Sequence, residues 1–410
     1  MEGSVLPGEG PVKRSRWAVL SVLTAAHTLS AAGALAVAPL APILLDAFDL
    51  TRAQVGLFIP AIYLGGVSMS MAAGWLTDRL GARLTLTGGL LLEAVMLMLA
   101  AEAPSFPLML ACLFAAGLGF SVVNPTTGKT IVERFPMTER GFAMGIKQTG
   151  LTLGGMLAAF TLPTLALRYG WRAALVAAAG AAALGALVGL ASGAGSGRPL
   201  AGSAALPDPP RFAEVGQFLR RRSFVVLLVS GLTLGLTQSS VLAYFPLFAR
   251  EQLGMSVVAA GGLLAAAQAG GTVSRLIGGV ISDRLFGGRR RPCLIINAAL
   301  GAAACLVFGL GIPLSGPVAG LIAFAFGAGA FGWVGLFLAL VAEVGGARYA
   351  GLLTGIAVTG AWGGILIGPA IFGHILEATG SYRWPWLVLT ASGVSVAVVL
   401  SRIAPLVKRD

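Results

Sequence analysis

Long apolar runs separated by short polar segments recur along the whole chain, at 17–45, 54–76, 84–101, 106–132, 141–166, 172–194, 223–248, 256–282, 292–312, 317–341, 351–376 and 384–403. A run of about 20 such residues crosses the hydrocarbon core of a bilayer as a helix. The runs are continuously apolar rather than alternating, which predicts helices and not barrel strands, because lipid offers the backbone no hydrogen-bond partner. The pattern therefore predicts an all-α membrane protein of twelve transmembrane helices, six on each side of the middle of the chain.

Hydrophobic residues make up 57% of the chain, charged residues only 11%, and the mean hydropathy is +0.88. That is far from the roughly 25% charge of a soluble domain and leaves no room for a separate catalytic module. The net charge of +12 raises the possibility of a nucleic-acid partner, but the placement of the cations excludes one. Lys13, Arg14, Arg16, Arg79, Arg83, Arg134, Arg140, Arg198, Arg284 and Arg348 are among the many that gather in the tails and even-numbered loops. Arg52, Arg168, Arg172, Arg250 and Arg383 fall at the other end of the spans. This bias predicts that both termini are cytoplasmic, in a multi-pass protein of the inner membrane.

The expected organisation is a cytoplasmic tail at 1–16, a six-helix bundle at 17–194, a linker at 195–222, a second six-helix bundle at 223–403 and a tail at 404–410. The linker holds Pro207-Asp-Pro-Pro210, then a stretch in which Phe212, Val215 and Leu219 could face lipid beside an Arg cluster. Cys112, Cys293 and Cys305 have no metal-ligand spacing and read as small packing residues, so neither metal nor cofactor is expected. Glycines and a serine at four-residue steps (Gly66, Ser70 and Gly74; Gly360, Gly364 and Gly368) predict close helix contacts. Two similar stripes carry a cation: Gly271, Arg275 and Gly279, and Lys147 with Gly150 and Gly154.

The chain also repeats itself. Gly74-Trp-Leu-Thr-Asp78-Arg79-Leu-Gly81-Ala-Arg83 returns half the chain later as Gly279-Val-Ile-Ser-Asp283-Arg284-Leu-Phe-Gly287-Gly-Arg289, with Phe286 as one extra residue. Both copies lie between spans. The motif resembles the signature loop between helices two and three of the major facilitator superfamily, and the resemblance extends from Trp17 to Ile403. It implies two pseudo-symmetric six-helix bundles that rock about a central site by alternating access. It further implies that Asp78, with Arg79 and Arg83, meets the start of helix eleven near Gly351. Asp283, with Arg284, would meet the start of helix five near Gly141, and together these contacts form a conformational latch. A carboxylate at the positive end of a helix dipole gives such a latch its physical basis. Glu139-Arg140-Gly141, Gly145-Ile-Lys147-Gln-Thr-Gly150 and Tyr169-Gly-Trp171-Arg172 resemble the anion-transporting bacterial branches, and Arg275 resembles the eighth-helix arginine of monocarboxylate and oxalate/formate transporters.

Lys147 lies six residues after Gly141 and Arg275 eight before Asp283, so at 1.5 Å per residue each is about 9–12 Å into the membrane, in one layer. A charge at that depth costs several kcal/mol and is seldom left without a partner. The repeat puts Ala357 at the place of Lys147 and Ser70 at the place of Arg275, so the scaffold itself requires neither cation. The expectation is that Arg275 grips a carboxylate with two parallel hydrogen bonds while Lys147 adds a point charge. The alternative is that one or both pair with Glu93 or with helix carbonyls as structural parts. Asn124, His27, Gln268, Gln238, Tyr63 and Trp333 complete the candidate substrate site. Glu93, the only acid deep in a span, and His27 are the candidates for proton coupling, whereas Lys129 is expected to snorkel to the interface. The expected function is secondary transport of a small organic anion, a mono- or dicarboxylate, with protons or a counter-anion as coupling partner, by a monomer in the lipid bilayer. A proton-driven exporter of drugs or metabolites is the alternative, opposed by Leu151 where the antiporter motif has proline. An intramembrane enzyme is disfavoured, since His27 and His374 lie at opposite depths with no acid pair between them.

Overall fold

The computed structural model describes residues 15–191 and 221–402, without the side chains of residues 137, 138, 346–348, 350 and 351. The expected linker helix, both tails and the Arg348 side chain lie outside the described residues. The described residues are almost entirely helical, and among them twelve helices are long and apolar enough to cross a membrane. They are α1 (Arg16–Ala47), α2 (Arg52–Leu80), α3 (Ala82–Ala101), α4 (Phe106–Arg134), α5 (Glu139–Tyr169) and α6 (Trp171–Leu190), then α7 (Arg222–Glu251), α8 (Val257–Arg284), α9 (Arg290–Gly309), α10 (Gly316–Gly345), α11 (Leu352–Thr379) and α12 (Arg383–Arg402). Large apolar side chains such as Met71, Phe160, Leu187 and Leu321 are exposed on the outside of these helices, as a lipid solvent allows.

Several spans are less regular than their apolar runs suggest. The helix stops at Leu35–Ala36 in α1, at Gly56–Leu57 in α2 and at Ser121–Val122 in α4, and each restart puts a proline third: Pro39, Pro60 and Pro125. Proline lacks an N–H and its ring crowds the carbonyl four residues back, so it suits the first turn of a helix and marks where the previous segment ends. The corresponding break in α10 falls at Gly332, without a proline.

Packing repeats with the sequence. In the first half α1 lies on α5, α2 on α4, α3 on α6 and α3 on α4; in the second α7 lies on α11, α8 on α10, α9 on α12 and α9 on α10. Adding six to each pair in the first set gives the second. The halves meet through α5 with α8, α2 with α11 and α1 with α7. Glycine makes the tight crossings possible: a Cβ at Gly364 or Gly368 would run into the Leu232 or Leu236 carbonyl of α7, and one at Gly154 into the Thr28 carbonyl of α1. The α2 stripe behaves differently from the expectation. Gly66 is loosely packed, Gly74 has nothing within 4 Å, and the close approach is made one residue away by Gly65 against Phe114.

The two ends of the molecule are unlike. At the end away from the repeated loops, Arg52 pairs with Glu251 at 2.8 Å, Tyr382 donates to the same carboxylate at 3.1 Å and Tyr244 donates to the Arg52 carbonyl at 3.0 Å. Arg250 bridges back to Asp46 at 2.9 Å and to the Pro42 carbonyl at 2.9 Å. These bonds clamp the first half to the second. Burial, with the neighbouring Glu251 carboxylate adding to it, holds the Tyr382 phenol well above its usual range, so it remains a donor in the clamp. At the end carrying the repeated loops, Gly141 and Gly145 on α5 and Gly279 on α8 have nothing within 4 Å of a would-be Cβ. The halves are closed at one end and parted at the other.

The adjacent pair Gly363 and Gly364 tests how far the glycine contacts set stability. Gly364→Val should destabilise the protein by about 2 kcal/mol more than Gly363→Val, because only the first drives a side chain into backbone. Thermal unfolding of the two variants in one detergent checks this, and equal losses would mean that helix propensity, not the α7–α11 crossing, sets the cost.

Candidate functional site

Between the halves lies a cavity of about 380 Å³ that reaches from mid-depth, at His27, Tyr63, Leu151 and Ile365, toward the repeated-loop end at Gly128 and Met144. Lys147 of α5 and Arg275 of α8 both line it. The first half also contributes Ser121, Asn124 and Gln148. The second half contributes Gln238, Trp333, Phe337 and Trp362, among others. No Asp or Glu is present among the described lining residues.

Arg275 is anchored more firmly than the sequence suggests. Its Nε donates to the Phe331 carbonyl at 2.8 Å and its Nη1 to the Gln148 carbonyl at 2.8 Å. The first acceptor sits at the α10 break, where the helix ends and leaves a carbonyl to be satisfied. The second lies on α5, so the guanidinium joins the two halves and stands beside the residue next to Lys147. Nη2 is buried and has no partner. The expected grip by two parallel nitrogens has less of the fork to use than the sequence suggests: Nε and one N–H of Nη1 are committed to backbone, and Nη2 has no protein partner.

Lys147 donates to Asn124 Oδ1 at 2.5 Å and reaches Gln148 Oε1 at 3.5 Å. Neutral amide oxygens solvate the ammonium but leave its charge unbalanced. His27 Nδ1 lies 3.0 Å from the Lys147 carbonyl. A carbonyl only accepts, so Nδ1 carries the proton in that contact. The ring also fills the space opposite Gly150, where a Cβ would strike it, which joins a cavity position to a packing role. Tyr63 Oη and Gln238 Oε1, both on cavity-lining residues, are buried without partners, as is Trp333 Nε1.

One expected member of the substrate site, Gln268, lies elsewhere, and the proton-coupling candidate Glu93 also stands outside the cavity. Gln268 is 2% exposed in the α5–α8 seam, against Gly155, and does not line the cavity. It shares a helix face with Arg275, but two turns farther along that face α8 is pressed against α5. Glu93 is 0% exposed and accepts from Ser30 Oγ at 2.5 Å, packed against Gly33 and Gly119 among α1, α3 and α4. It neither lines the cavity nor neutralises either cation, because α3 stands behind α1 and α4. The seam holds a contact that the sequence did not single out, Thr272 Oγ1 donating to Thr152 Oγ1 at 2.7 Å. Threonine is common in apolar helices, where it bonds its own backbone, and so carried no signal.

The loop residues are engaged within their own halves. Asp78 pairs with Lys129 at 2.7 Å and Asp283 with Arg290 at 2.6 Å; the two carboxylates are 74% and 60% exposed. Arg79 stacks on Trp75 at 4.5 Å, and Arg83 and Arg284 are exposed. The side chains at 346–348, 350 and 351, near which Asp78 was expected to latch, lie outside the described residues. Lys129 does not line the cavity; its ammonium reaches the loop end, as snorkelling requires, and finds Asp78 there.

Twelve membrane helices in two repeated sets, enclosing a charged cavity that is closed at one end, define a membrane transporter and not an enzyme. Residues 23–364 match the Major Facilitator Superfamily, and the chain belongs to that family. It is 25% identical to a probable sulfoacetate transporter of Cupriavidus necator, over 92% of this chain and 90% of the relative. It is 22% identical to a hexuronate transporter of Bacillus subtilis, over 88% of each. Its fold is similar to the crystal structure of a bacterial homologue of the human lysosomal transporter Spinster in an inward-facing, unoccupied conformation, with TM-score 0.72, 18% identity, and coverage of 95% of this chain and 96% of that one.

A double-mutant cycle on Thr152→Val and Thr272→Val measures the seam contact. The coupling should be about 1 kcal/mol, the net worth of one buried hydrogen bond. Additive losses in equilibrium unfolding would show that it contributes nothing.

Proposed function

We propose that this protein is a secondary transporter of small organic anions, mono- or dicarboxylates, working by alternating access across the cytoplasmic membrane. One observation carries the reading: Lys147 and Arg275 face a shared cavity whose described lining holds no acid. The anion neutralises charge that the protein leaves unbalanced, and Nη2 of Arg275 supplies a donor that no protein acceptor uses. The names of the relatives, transporters of sulfoacetate and hexuronate, support an anionic substrate. A cationic drug would meet repulsion at this site, which counts against the exporter alternative.

The domain division follows the same reading. The bundles at 17–194 and 223–403 rock about the cavity as rigid halves, and the loops at Asp78 and Asp283 latch the end that is parted here. The cation bias supports a cytoplasmic side for both termini and for the parted end, and on that reading the conformation is inward-open. The protein functions as a monomer, and a proton or a counter-anion accompanies the substrate.

Uptake into proteoliposomes of labelled lactate, formate, oxalate and succinate tests this, with and without an inward proton gradient. Lys147→Gln and Arg275→Gln should each lower uptake of the transported acid at least about tenfold, the worth of one lost charge-assisted contact. Dependence on the gradient identifies symport, and dependence on internal anion identifies exchange. Normal uptake by both variants sinks the anion site.

A further inference from the structure

The walls of the cavity differ in chemistry. Apart from Arg275 and Gln238, the described lining contributed by the second half is apolar or aromatic: Trp333, Phe337, Leu338, Val358, Trp362 and Ile365 stand out. The first half carries most of the other hydrogen-bonding groups, His27, Tyr63, Ser121, Asn124, Lys147 and Gln148, while the second wall adds the indole N–H donors of Trp333, which has no partner, and Trp362. Arg275 does not extend polarity across the second wall, because its Nε and Nη1 are spent on backbone carbonyls. Its bond to Gln148 instead draws the guanidinium toward the first half, next to Lys147, so that the two cations form one charged locus and not two separated ones.

We infer that the substrate is an amphipathic monoanion, with one carboxylate head held at the Lys147–Arg275 locus and an apolar, preferably aryl, body lying against the Trp333, Phe337 and Trp362 wall. The inference rests on the anion-transport reading and narrows it. A sugar acid would set several hydroxyls against a wall with little to receive them, and each hydroxyl desolvated without a partner costs about tenfold in affinity. A dicarboxylate would need a second cationic locus, and the described lining has none. An aryl ring matches the wall in shape and in stacking preference, and a cavity of about 380 Å³ has room for it. The half-buried indole of Trp362 and side chain of Val358 give this wall its accessible surface.

Calorimetric titration of the full chain in nanodiscs with phenylacetate, acetate, succinate and galacturonate tests the assignment. Phenylacetate should bind at least about tenfold more tightly than each of the others. Trp362→Ser, and independently Val358→Asn, should weaken phenylacetate several-fold more than acetate, with Lys147→Gln weakening both. Succinate or galacturonate binding as tightly as phenylacetate, and lost in Lys147→Gln, would overturn the amphipathic substrate while leaving the anion reading standing. Equal affinity for acetate and phenylacetate would overturn it as well. Failure of every anion to bind a protein that unfolds cooperatively on heating would overturn both readings together.

Discussion

Two cationic side chains in one layer, with no acid among the described residues that line their cavity, set the terms for the rest of the site. A bilayer gives no water to solvate Lys147 or Arg275, so the protein must surround each with oxygen atoms. It does so with the Asn124 amide for one and with the Phe331 and Gln148 carbonyls for the other. The α10 break at Gly332 then has a use beyond bending a helix, since it leaves the carbonyl that holds Arg275. The close approach of α5 to α8 also has a purpose, because only at that distance can Gln148 serve a side chain of the other half. Solvation of charge without its neutralisation is the feature on which the proposed anion site rests.

The fold was legible in the chain because its causes are local. Twelve apolar runs, a cation bias and a repeated loop each follow from neighbouring residues, and the helices fall within a few positions of the runs. The breaks were less legible, since Pro39, Pro60 and Pro125 lie inside runs whose hydropathy does not change. The site was partly legible. Depth counted from Asp283 and Gly141 put Arg275 and Lys147 in one layer correctly, because helix geometry converts sequence distance into depth. Rotation about the helix axis is another matter. Gln268 shares the face of Arg275, yet two turns away that face meets α5 instead of the cavity, and only the packing of both helices decides where the change occurs. The commitment of the Arg275 fork to two carbonyls was equally invisible, since one acceptor lies on α10 and the other on α5.

Comparison of the halves separates scaffold from specialisation. Each helix pairing of the first half recurs in the second, so the shared sequence features maintain the shared packing. The halves differ in Lys147 against Ala357 and Arg275 against Ser70, of which the two cations line the cavity, and in three proline-marked breaks in one half against a glycine break in the other. Symmetry supplies two halves of one packing plan, and departures from it supply the charges between them.

The position of Arg275 ties the joint between the halves to the cavity. Its Nη1 bond to Gln148 fastens α8 to α5, while the unpartnered Nη2 belongs to the same rigid guanidinium. Were an anion at Nη2 to tilt that plane away from the carbonyl, reciprocity would subtract the cost from the seam, and a firmer seam would weaken the anion by the same amount. One planar group thus makes the hold on a ligand and the stiffness of the joint answer to each other.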